Sequence, residues 1–422
     1  MLLYCFMYIT EKAVCCHYLI VSKKKDMIEK LTLKNWKSYG DAFLYVEPLT
    51  IIIGFNASGK SNVLDALSFL SDLAKGMSVG DATKKIRGGE EWILRNGTST
   101  TTLGIDVYDD EKECTYSYEI EIGRNDAVFE ILGERLVKQS KKNSLVLLDT
   151  AEGNGSDNTR LSLTSYTGNK DKRRELNVFR ERMSLQQLVS LDIQKDVRDG
   201  VLCVIEHLKN IFVLNPIPSL MRNYVPVQKE LKEDASNIAG VIAGIGEEAR
   251  GALLKRIGGL VRNLPERDIE EIWTDTVGMF GRDAMLYCKE KWTDSTELTL
   301  DARGMSDGTL RFVAIVTALL TLPERTLLLI EEVDNGLHPS RSEELVRALK
   351  SLGAERNIDV LCTTHNPYLV DALGTELIPC ISYVKRDKDS GASVICTMDE
   401  NEDLFNLMAS GSIGMSMAKG KI

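Results

Sequence analysis

The stretch Ile51-Ile-Ile-Gly-Phe-Asn-Ala-Ser-Gly-Lys-Ser-Asn62 joins a β-branched apolar run to a glycine-rich loop. The run is typical of a strand covered on both faces, and the loop has the spacing Gly-x-x-x-x-Gly-Lys-Ser. Backbone N–H groups in such a loop can surround a phosphate, and glycine is required because a Cβ would block that approach. Apolar side chains then recur at helical spacing, namely Val63, Leu67, Leu70 and Ala74. The segment therefore predicts a strand, a phosphate-binding loop and a helix in direct succession.

Two side chains of this loop suit nucleotide chemistry. Lys60 supplies a fixed positive charge for the β- and γ-phosphates, and the Ser61 hydroxyl is suited to coordinate Mg²⁺. We therefore predict that the phosphates of a nucleotide and Mg²⁺ bind here. The residues predicted to bind the nucleotide are Gly54, Asn56, Ala57, Ser58, Gly59, Lys60, Ser61 and Asn62.

Composition limits the class of protein. The 422 residues are 43% apolar and 27% charged, which is ordinary for a globular protein of one large or two modest domains. A net charge of −10 argues against non-specific coating of nucleic acid, which depends on Lys and Arg, and leaves a local basic patch open. The nine cysteines form no C-x-x-C pair, so we expect reduced thiols in a cytoplasmic protein.

Residues 1–22 are apolar enough to resemble a signal or a membrane anchor. However, charged residues interrupt the run, and the basic cluster Lys23-Lys24-Lys25 follows it instead of preceding it. We therefore expect no membrane association. Met27 begins a pattern suited to a domain start, so residues 1–26 are interpreted as an N-terminal extension, with a mis-assigned start as the open alternative.

Changes of hydrophobic period divide the rest of the chain into three parts. Residues 27–165 are predicted to form a first lobe with the phosphate loop and an antiparallel sheet, because apolar and polar residues alternate from Tyr116 to Ile122. Residues 166–295 are predicted to form a mainly helical insert, since apolar residues recur at helical spacing. Residues 296–422 return to short apolar strands beside helices and are predicted to form a second lobe.

The apolar run Leu327–Ile330 ends in two adjacent carboxylates, Glu331 and Glu332. Because successive strand residues point to opposite sides, the two acids can take different roles. We assign Glu331 to Mg²⁺, directly or through water, and Glu332 to the attacking water as general base. Acidic pairs at strand ends are also common as solvated loop charges or helix caps, and this interpretation stays open.

Two further polar turns adjoin apolar segments. Ser306-Asp307-Gly308 precedes a helical run, where a hydroxyl and glycine N–H groups can hold an anion. A plain N-cap by Ser306 or Asp307 explains the same pattern. His365 follows a second apolar strand, where it can hydrogen-bond a γ-phosphate or cap a loop.

The order of these elements resembles the ABC-type ATPase heads of the SMC and RecF group. In that group the serine turn is the signature motif, the histidine is the switch histidine, and the D-loop corresponds to Asn335 and Gly336. The resemblance implies an α/β fold in which helices flank a mixed sheet, with an antiparallel β-subdomain and a helical insert. The chain departs from the group in two places: Glu331 stands where Walker B has Asp, and Gln139 is the candidate for the Q-loop.

Three segments resemble more closely the AAA-labelled, AbiEii-toxin-like ATPases of bacterial defence operons. These segments are Pro218–Pro226, Ser306–Arg311 and Ile330–Pro339. The resemblance implies Mg²⁺-dependent ATP hydrolysis with Glu332 and His365 as catalytic residues. It also implies a homodimer or higher homo-oligomer, in which the signature residues of one subunit complete the ATP site of another.

The same resemblance implies an ATP-driven sensor or scaffold in an anti-phage system, controlling a separate effector such as a nuclease or toxin. About 57 residues follow His365, which is short for the nuclease domain that follows related heads, so we expect the effector in trans. A RecF-like repair clamp on DNA is the first alternative, and a transporter ATPase is the weaker second. A basic run could contact DNA or be a solvated surface. Its residues are Lys170, Lys172, Arg173 and Arg174.

Overall fold

A computed structural model describes residues 26–125, 128–141, 143–150, 160–166, 173–264, 269–293, 296–398 and 412–419. Apart from Asp26, the predicted N-terminal extension lies outside these ranges. The chain divides into two compact units, and each is described by itself. The first unit comprises Met1–Glu47, Ile53–Ile211 and Thr375–Asn401, and the second comprises Pro48–Ile52, Phe212–Gly374 and Glu402–Ile422.

The elements of the described residues are numbered in chain order. The strands are β1 Met27–Lys34, β2 Asp41–Tyr45, β3 Leu49–Gly54, β4 Thr100–Asp109, β5 Cys114–Asn125, β6 Val128–Ser140, β7 Ser144–Thr150, β8 Arg160–Tyr166, β9 Arg173–Phe179, β10 Ile211–Leu214, β11 Val225–Pro226, β12 Ile269–Val277, β13 Asp283–Thr293, β14 Thr296–Asp301, β15 Leu327–Ile330, β16 Asp359–Thr363, β17 Ile381–Arg386 and β18 Ser393–Thr397. The helices are α1 Lys60–Ala74, α2 Val79–Lys85, α3 Ser184–Leu188, α4 Lys195–Lys209, α5 Ile238–Ala243, α6 Glu247–Arg262, α7 Asp307–Thr321, α8 Ser342–Arg356, α9 Pro367–Ala372 and α10 Ile413–Ala418. Short 3₁₀ turns lie at Gly89–Trp92, Pro339–Arg341 and Thr375–Cys380.

The first unit is built on an antiparallel sheet in the order β2-β1-β4-β5-β6-β7-β8-β9. The predicted alternation in β5 is confirmed, because Tyr116 to Ile122 alternate between buried apolar and partly exposed polar side chains. Helix α4 packs on β4, β5 and β7. It approaches closely at Gly200, where a Cβ would lie 2.9 Å from the Leu147 side chain. The helix thus covers the apolar face that the strand pattern requires to be buried.

Helix α1 follows the phosphate loop as predicted. Its apolar stripe is fully buried, which explains why the segment folds as a helix against the rest of the first unit. The buried stripe residues are Val63, Leu67, Leu70 and Ala74. The loop before it is therefore mounted on a rigid helix.

The second unit contains strands in the order β10-β15-β16-β3, counting β3 up to Ile52. Strand β15 pairs in parallel with β16, and β16 pairs in parallel with β3. Continuous burial of Leu327–Ile330 matches the apolar runs expected of parallel strands. Because the strands are parallel, their carboxyl ends lie at one edge of the sheet. The segments after β15 and β16, which carry the predicted acids and histidine, both begin at that edge.

Helix α7 lies in the second unit and is apolar on nearly all sides, with burial of most of its length from Gly308 to Leu319. Helix α8 packs against it on one side and α6 on another. A small antiparallel sheet in the order β11-β13-β12, with β14 beside β13, completes the described part of this unit. The start of α7 is therefore held by a rigid core.

The predicted insert at residues 166–295 is only partly helical. It contains α3 to α6, but it also contains β9 to β13. Val201, Ile205 and Leu208 form a buried stripe on α4, whereas Phe212 lies in β10 because the helix ends at Lys209. The division between the compact units falls after Ile211, within this segment.

The strand β12 explains part of the discrepancy. A bulge between Ile269 and Glu271 shifts the register of the strand against β13. Ile269 and Ile272, three positions apart along the chain, are consequently both buried. Apolar residues three positions apart are also found on helices, so this part of the strand cannot be distinguished from a helix by its apolar spacing.

A buried carboxyl lies in the first unit, away from the phosphate loop. Glu134 of β6 accepts hydrogen bonds from the Tyr118 hydroxyl and from the Ser184 backbone N–H, the latter at 3.0 Å. Burial raises the pKa of Glu134 to about 7, although these hydrogen bonds oppose the shift. The carboxyl therefore binds a proton more tightly in the folded protein than in the unfolded chain.

This raised pKa predicts a pH-dependent stability. The ordinary value is 4.5, so the free energy of unfolding should fall as the pH rises from about 4.5 to about 7. The decline from this group should be about 3 kcal/mol at most. Glu134→Gln should remove it, whereas Glu119→Gln on the half-exposed surface of the same sheet should keep it. Urea unfolding of both variants and the parent at pH 4.5 to 8 would test this, and equal pH profiles for all three would contradict it.

Candidate nucleotide-binding site

The phosphate loop of the first unit follows a path that its two glycines permit. Gly54 has φ +148° and Gly59 has φ +118°. A Cβ at position 54 would lie 2.4 Å from the Val384 carbonyl oxygen, and one at position 59 would lie 2.4 Å from Ser393 Oγ. Both positions exclude any side chain, so the glycines of the motif are required by this backbone.

The Lys60 ammonium lies within the curve of the loop. Its Nζ donates to the carbonyl oxygens of Gly54 at 2.7 Å and Phe55 at 2.9 Å. The residue is only 8% exposed. The loop carbonyls therefore fix a positive charge beside the loop N–H groups, as the sequence motif predicts.

The start of α1 offers further donors. Its N-cap, Gly59, provides no side-chain cap, and no acidic residue lies in the first turn. The buried Ser58 hydroxyl has no hydrogen-bond partner among the described residues. Because buried donors without acceptors are costly, these groups fit the oxygens of a bound phosphate. The residues present thus suit ATP, with the Ser61 hydroxyl close by for Mg²⁺.

Residues distant in sequence support the loop. The Tyr39 hydroxyl donates to the Gly59 carbonyl at 3.0 Å, and Ser393 Oγ donates to the Ser58 carbonyl. Burial raises the pKa of Tyr39, against an opposing effect of Arg386, so the hydroxyl stays a donor. Arg386 Nε also donates to the Ala57 carbonyl at 3.2 Å. These residues could not be predicted from the motif, because they lie outside it in the sequence and reach the loop only in the folded protein.

A cavity of about 950 Å³ opens beside the loop, within the first unit. Ser61 and Asn62 line one side, and Trp92, which is 67% exposed, lines another. Two cations also face it and share a carboxylate: Asp65 accepts from Lys37 Nζ at 2.6 Å and from Arg87 Nη2 at 2.9 Å. Cations with an indole suit a ligand that carries phosphates and an aromatic ring. None of these cavity cations belongs to a motif that the sequence reveals.

The predicted acids lie in the second unit, in a turn and not on a strand. Strand β15 ends at Ile330, and Glu332 has φ +46°, a left-handed conformation. The expectation that the acids point to opposite faces of a strand is therefore wrong. The Glu332 backbone N–H donates to Thr363 Oγ1 at 2.9 Å, and the buried Asp334 accepts from Thr364 Oγ1 at 2.7 Å. These two threonines, at and after the end of β16, hold the turn.

Glu332 and His365 lie close together in the second unit. His365 Nδ1 is 3.5 Å from Glu332 Oε1, and the two side chains are 50% and 41% exposed. Asn335 Nδ2 donates to Glu332 Oε2 at 3.4 Å. The predicted general base, the predicted switch histidine and a residue of the predicted D-loop thus form one cluster that water can reach.

The residues predicted to form the signature motif lie at the start of helix α7. Ser306 is its N-cap: Oγ accepts from the Thr309 N–H at 3.1 Å, which agrees with the plain capping interpretation. Ser306 and Asp307 are exposed, whereas Gly308 is buried. A Cβ at position 308 would lie 2.6 Å from the Gly336 carbonyl oxygen. The start of α7 and the predicted D-loop therefore touch, backbone against backbone, within the second unit.

Two further predictions from the sequence concern the Q-loop and the basic run. Gln139, the Q-loop candidate, lies near the end of β6, where Nε2 donates to Ser117 Oγ at 3.1 Å. Lys170 and Lys172 of the basic run lie outside the described residues.

Among the described residues, no group of three His, Cys, Asp or Glu side chains could hold a metal ion by itself. None of the described helices has the length and apolar character needed to cross a membrane.

The sequence of this chain is similar to those of known proteins. Residues 49–166 and 288–371 match the family described as "AAA domain, putative AbiEii toxin, Type IV TA system". RecF, a DNA replication and repair protein of Arthrobacter sp. (strain FB24), is 31% identical over 85 residues, which are 19% of this chain and 21% of RecF. The OLD nuclease of Thermus scotoductus is 23% identical over 405 residues, 90% of this chain and 66% of the nuclease. The chain therefore spans less than two thirds of either relative.

A solved SMC head, bound to the C-winged helix domain of ScpA, has a similar fold. Its TM-score is 0.52 at 15% identity, covering 88% of this chain and 97% of the SMC chain. The chain therefore has the fold of an ABC-type P-loop ATPase head. The predicted fold class of this ABC-type head is thereby confirmed.

Proposed function

We propose that this ABC-type head binds ATP with Mg²⁺ and hydrolyses it. The phosphate loop carries the proposal. Its backbone at positions 54 and 59 has room only for glycine. The buried Lys60 ammonium and the Ser58 hydroxyl, which has no partner among the described residues, both suit phosphate oxygens. The family described above is an AAA domain family, which supports nucleotide binding. Ser61 and Glu331 would hold Mg²⁺, which neutralises charge on the phosphates.

In this proposal Glu332 is the general base. It takes a proton from the attacking water, the oxygen bonds to the terminal phosphorus, and the bond to the ADP oxygen breaks. The carboxyl ends of β15, β16 and β3 share one edge of a parallel sheet, and β3 continues into the phosphate loop. This edge of the second unit therefore carries Glu332 and His365 together. His365 then orients Glu332 or contacts the γ-phosphate.

We infer that hydrolysis needs two copies of the chain. Ser306 and Asp307 are exposed at the start of α7, where the helix N-terminus favours an anion. In the inferred dimer, these residues and Gly308 of one copy meet the nucleotide held by the other. ATP thereby joins the two copies, and its hydrolysis releases them.

A complementation experiment tests this shared site. Ser306→Arg should block the partner's site but leave its own phosphate loop intact, whereas Lys60→Ala should do the reverse. Each variant alone should be inactive, but an equal mixture should recover about a quarter of the parent rate, because half of the dimers carry one intact site. The measurement is steady-state phosphate release at protein concentrations that support dimers. Full activity of Ser306→Arg alone, or a mixture that stays inactive while mixed dimers form, would contradict the shared site.

We further propose that the head is a sensor or scaffold in a bacterial anti-phage system and controls a separate effector, in the cytoplasm. The family description, which names a toxin, and the likeness to the OLD nuclease along 90% of the chain support this role. The short match to RecF supports the alternative, a DNA-repair clamp. Phage challenge of cells that carry the gene with its neighbours would decide. Protection that Lys60→Ala abolishes supports defence, whereas sensitivity to DNA damage on deletion supports repair.

A further inference from the structure

One arginine of the second unit holds the chain on both sides of Ser306. Arg222 Nη2 donates to the Met305 carbonyl oxygen at 2.8 Å and to Asp307 Oδ1 at 2.7 Å. Met305 precedes Ser306 and Asp307 follows it. A single guanidinium nitrogen thus fixes the backbone before the signature serine and the side chain after it.

Arg222 is itself mounted on a tight turn. The N–H of the buried residue before it, Met221, donates to the carbonyl oxygens of Ile217 at 3.3 Å and Pro218 at 3.1 Å. Three residues after the arginine, Val225 pairs with β13. The turn is therefore anchored at both ends, and the arginine needs little further ordering to reach Ser306.

The ion pair alone is a weak source of stability. The Arg222 side chain is 25% exposed and that of Asp307 is 65% exposed, so solvent screens their attraction. The buried core of α7 already fixes the body of the helix. What these contacts restrict is the local conformation at Ser306, the point at which α7 meets solvent.

We propose that Arg222 is a positioning residue for ATP turnover, holding the Ser306 turn in the conformation that meets the nucleotide of a second copy. This inference rests on the proposed shared site and adds a residue that the signature motif does not contain. Arg222 does not touch the nucleotide in this scheme. It acts by keeping the Ser306 hydroxyl and the first N–H groups of α7 in place.

The test compares Arg222→Ala with Arg222→Lys and with Asp307→Asn, which keeps the bond to the Met305 carbonyl. Arg256→Ala is the matched control, because Arg256 forms an exposed ion pair with Glu355. Small errors of position commonly cost about 10²-fold in rate, so we expect a kcat about 10- to 100-fold lower for Arg222→Ala. ATP affinity, measured by ATP-dependent thermal stabilisation, should stay within about twofold of the parent, since the phosphate loop is intact. Arg222→Lys and Asp307→Asn should have intermediate rates, and Arg256→Ala should match the parent.

The outcomes separate this inference from the proposed function. If Ser306→Arg is inactive but Arg222→Ala and Asp307→Asn both turn over ATP at the parent rate, the positioning role is wrong. If Ser306→Arg is fully active, the shared site itself is wrong. Should Arg222→Ala fail to fold, Asp307→Asn and Arg222→Lys decide. An unchanged rate in both overturns the inference, and a lower rate with unchanged ATP affinity supports it.

Discussion

Lys60→Ala is expected to abolish ATP binding. The substitution removes an ammonium that two loop carbonyls hold inside the phosphate loop, at a site with little access to solvent. No other loop residue can replace that charge. A ligand present at 100 times its Kd stabilises the folded protein by about 2.7 kcal/mol, and this stabilisation should be lost. The measurement is the shift in melting temperature on addition of ATP and Mg²⁺.

A lysine outside the loop provides the control. Lys85 at the end of α2 pairs with Asp72 and is 46% exposed, so Lys85→Ala should keep the full ATP-dependent shift. Both variants should unfold cooperatively without nucleotide. If Lys60→Ala binds ATP as tightly as the parent, the loop at residues 54–61 is not the nucleotide site.

Glu332→Gln is expected to separate binding from hydrolysis. Glutamine keeps the size of the side chain and its contact with Asn335, but it cannot accept the proton of the attacking water. Loss of a general base slows a reaction by about 10² to 10⁴-fold. ATP binding should survive, so ATP-bound dimers should accumulate. Light scattering with ATP and Mg²⁺ measures the dimer, and phosphate release measures the rate.

Glu331→Gln is the matched comparison, one residue earlier in the same turn. Because Glu331 is assigned to Mg²⁺, its loss should weaken Mg²⁺-dependent ATP binding as well as turnover. It should therefore not accumulate dimers. A Glu332→Gln variant that hydrolyses ATP at the parent rate would show that the base lies elsewhere.

Much of the head could be predicted because its signals are local. The strand before Gly54, the loop and helix α1 are adjacent in sequence, and each has a pattern that only one structure satisfies. The apolar run of β15 likewise predicts a buried parallel strand whatever it pairs with. The structure of such segments can therefore be predicted from their own residues.

Other features depend on contacts between distant residues. Tyr39 and Ser393 support the phosphate loop from far along the chain, and no spacing rule connects them to it. The left-handed Glu332 depends on a bond from its N–H to Thr363, which the run of apolar residues before it does not reveal. The bulge at the start of β12 even imitates a helix. These features depend on which residues meet in the folded protein, and the local sequence pattern does not specify those contacts.

The contact between Gly308 and Gly336 has a consequence for communication within the molecule. Flexible side chains absorb small movements by changing rotamer, but two backbones in contact have no such compliance. A shift of a few tenths of an ångström in the turn that carries Glu332 must therefore displace the first residues of α7. In the proposed dimer, Glu332 acts on one nucleotide and α7 of the same copy meets the other, so the two nucleotide sites would be coupled. ATP binding would then be cooperative, with a Hill coefficient above one, and a single rigid contact would be its source.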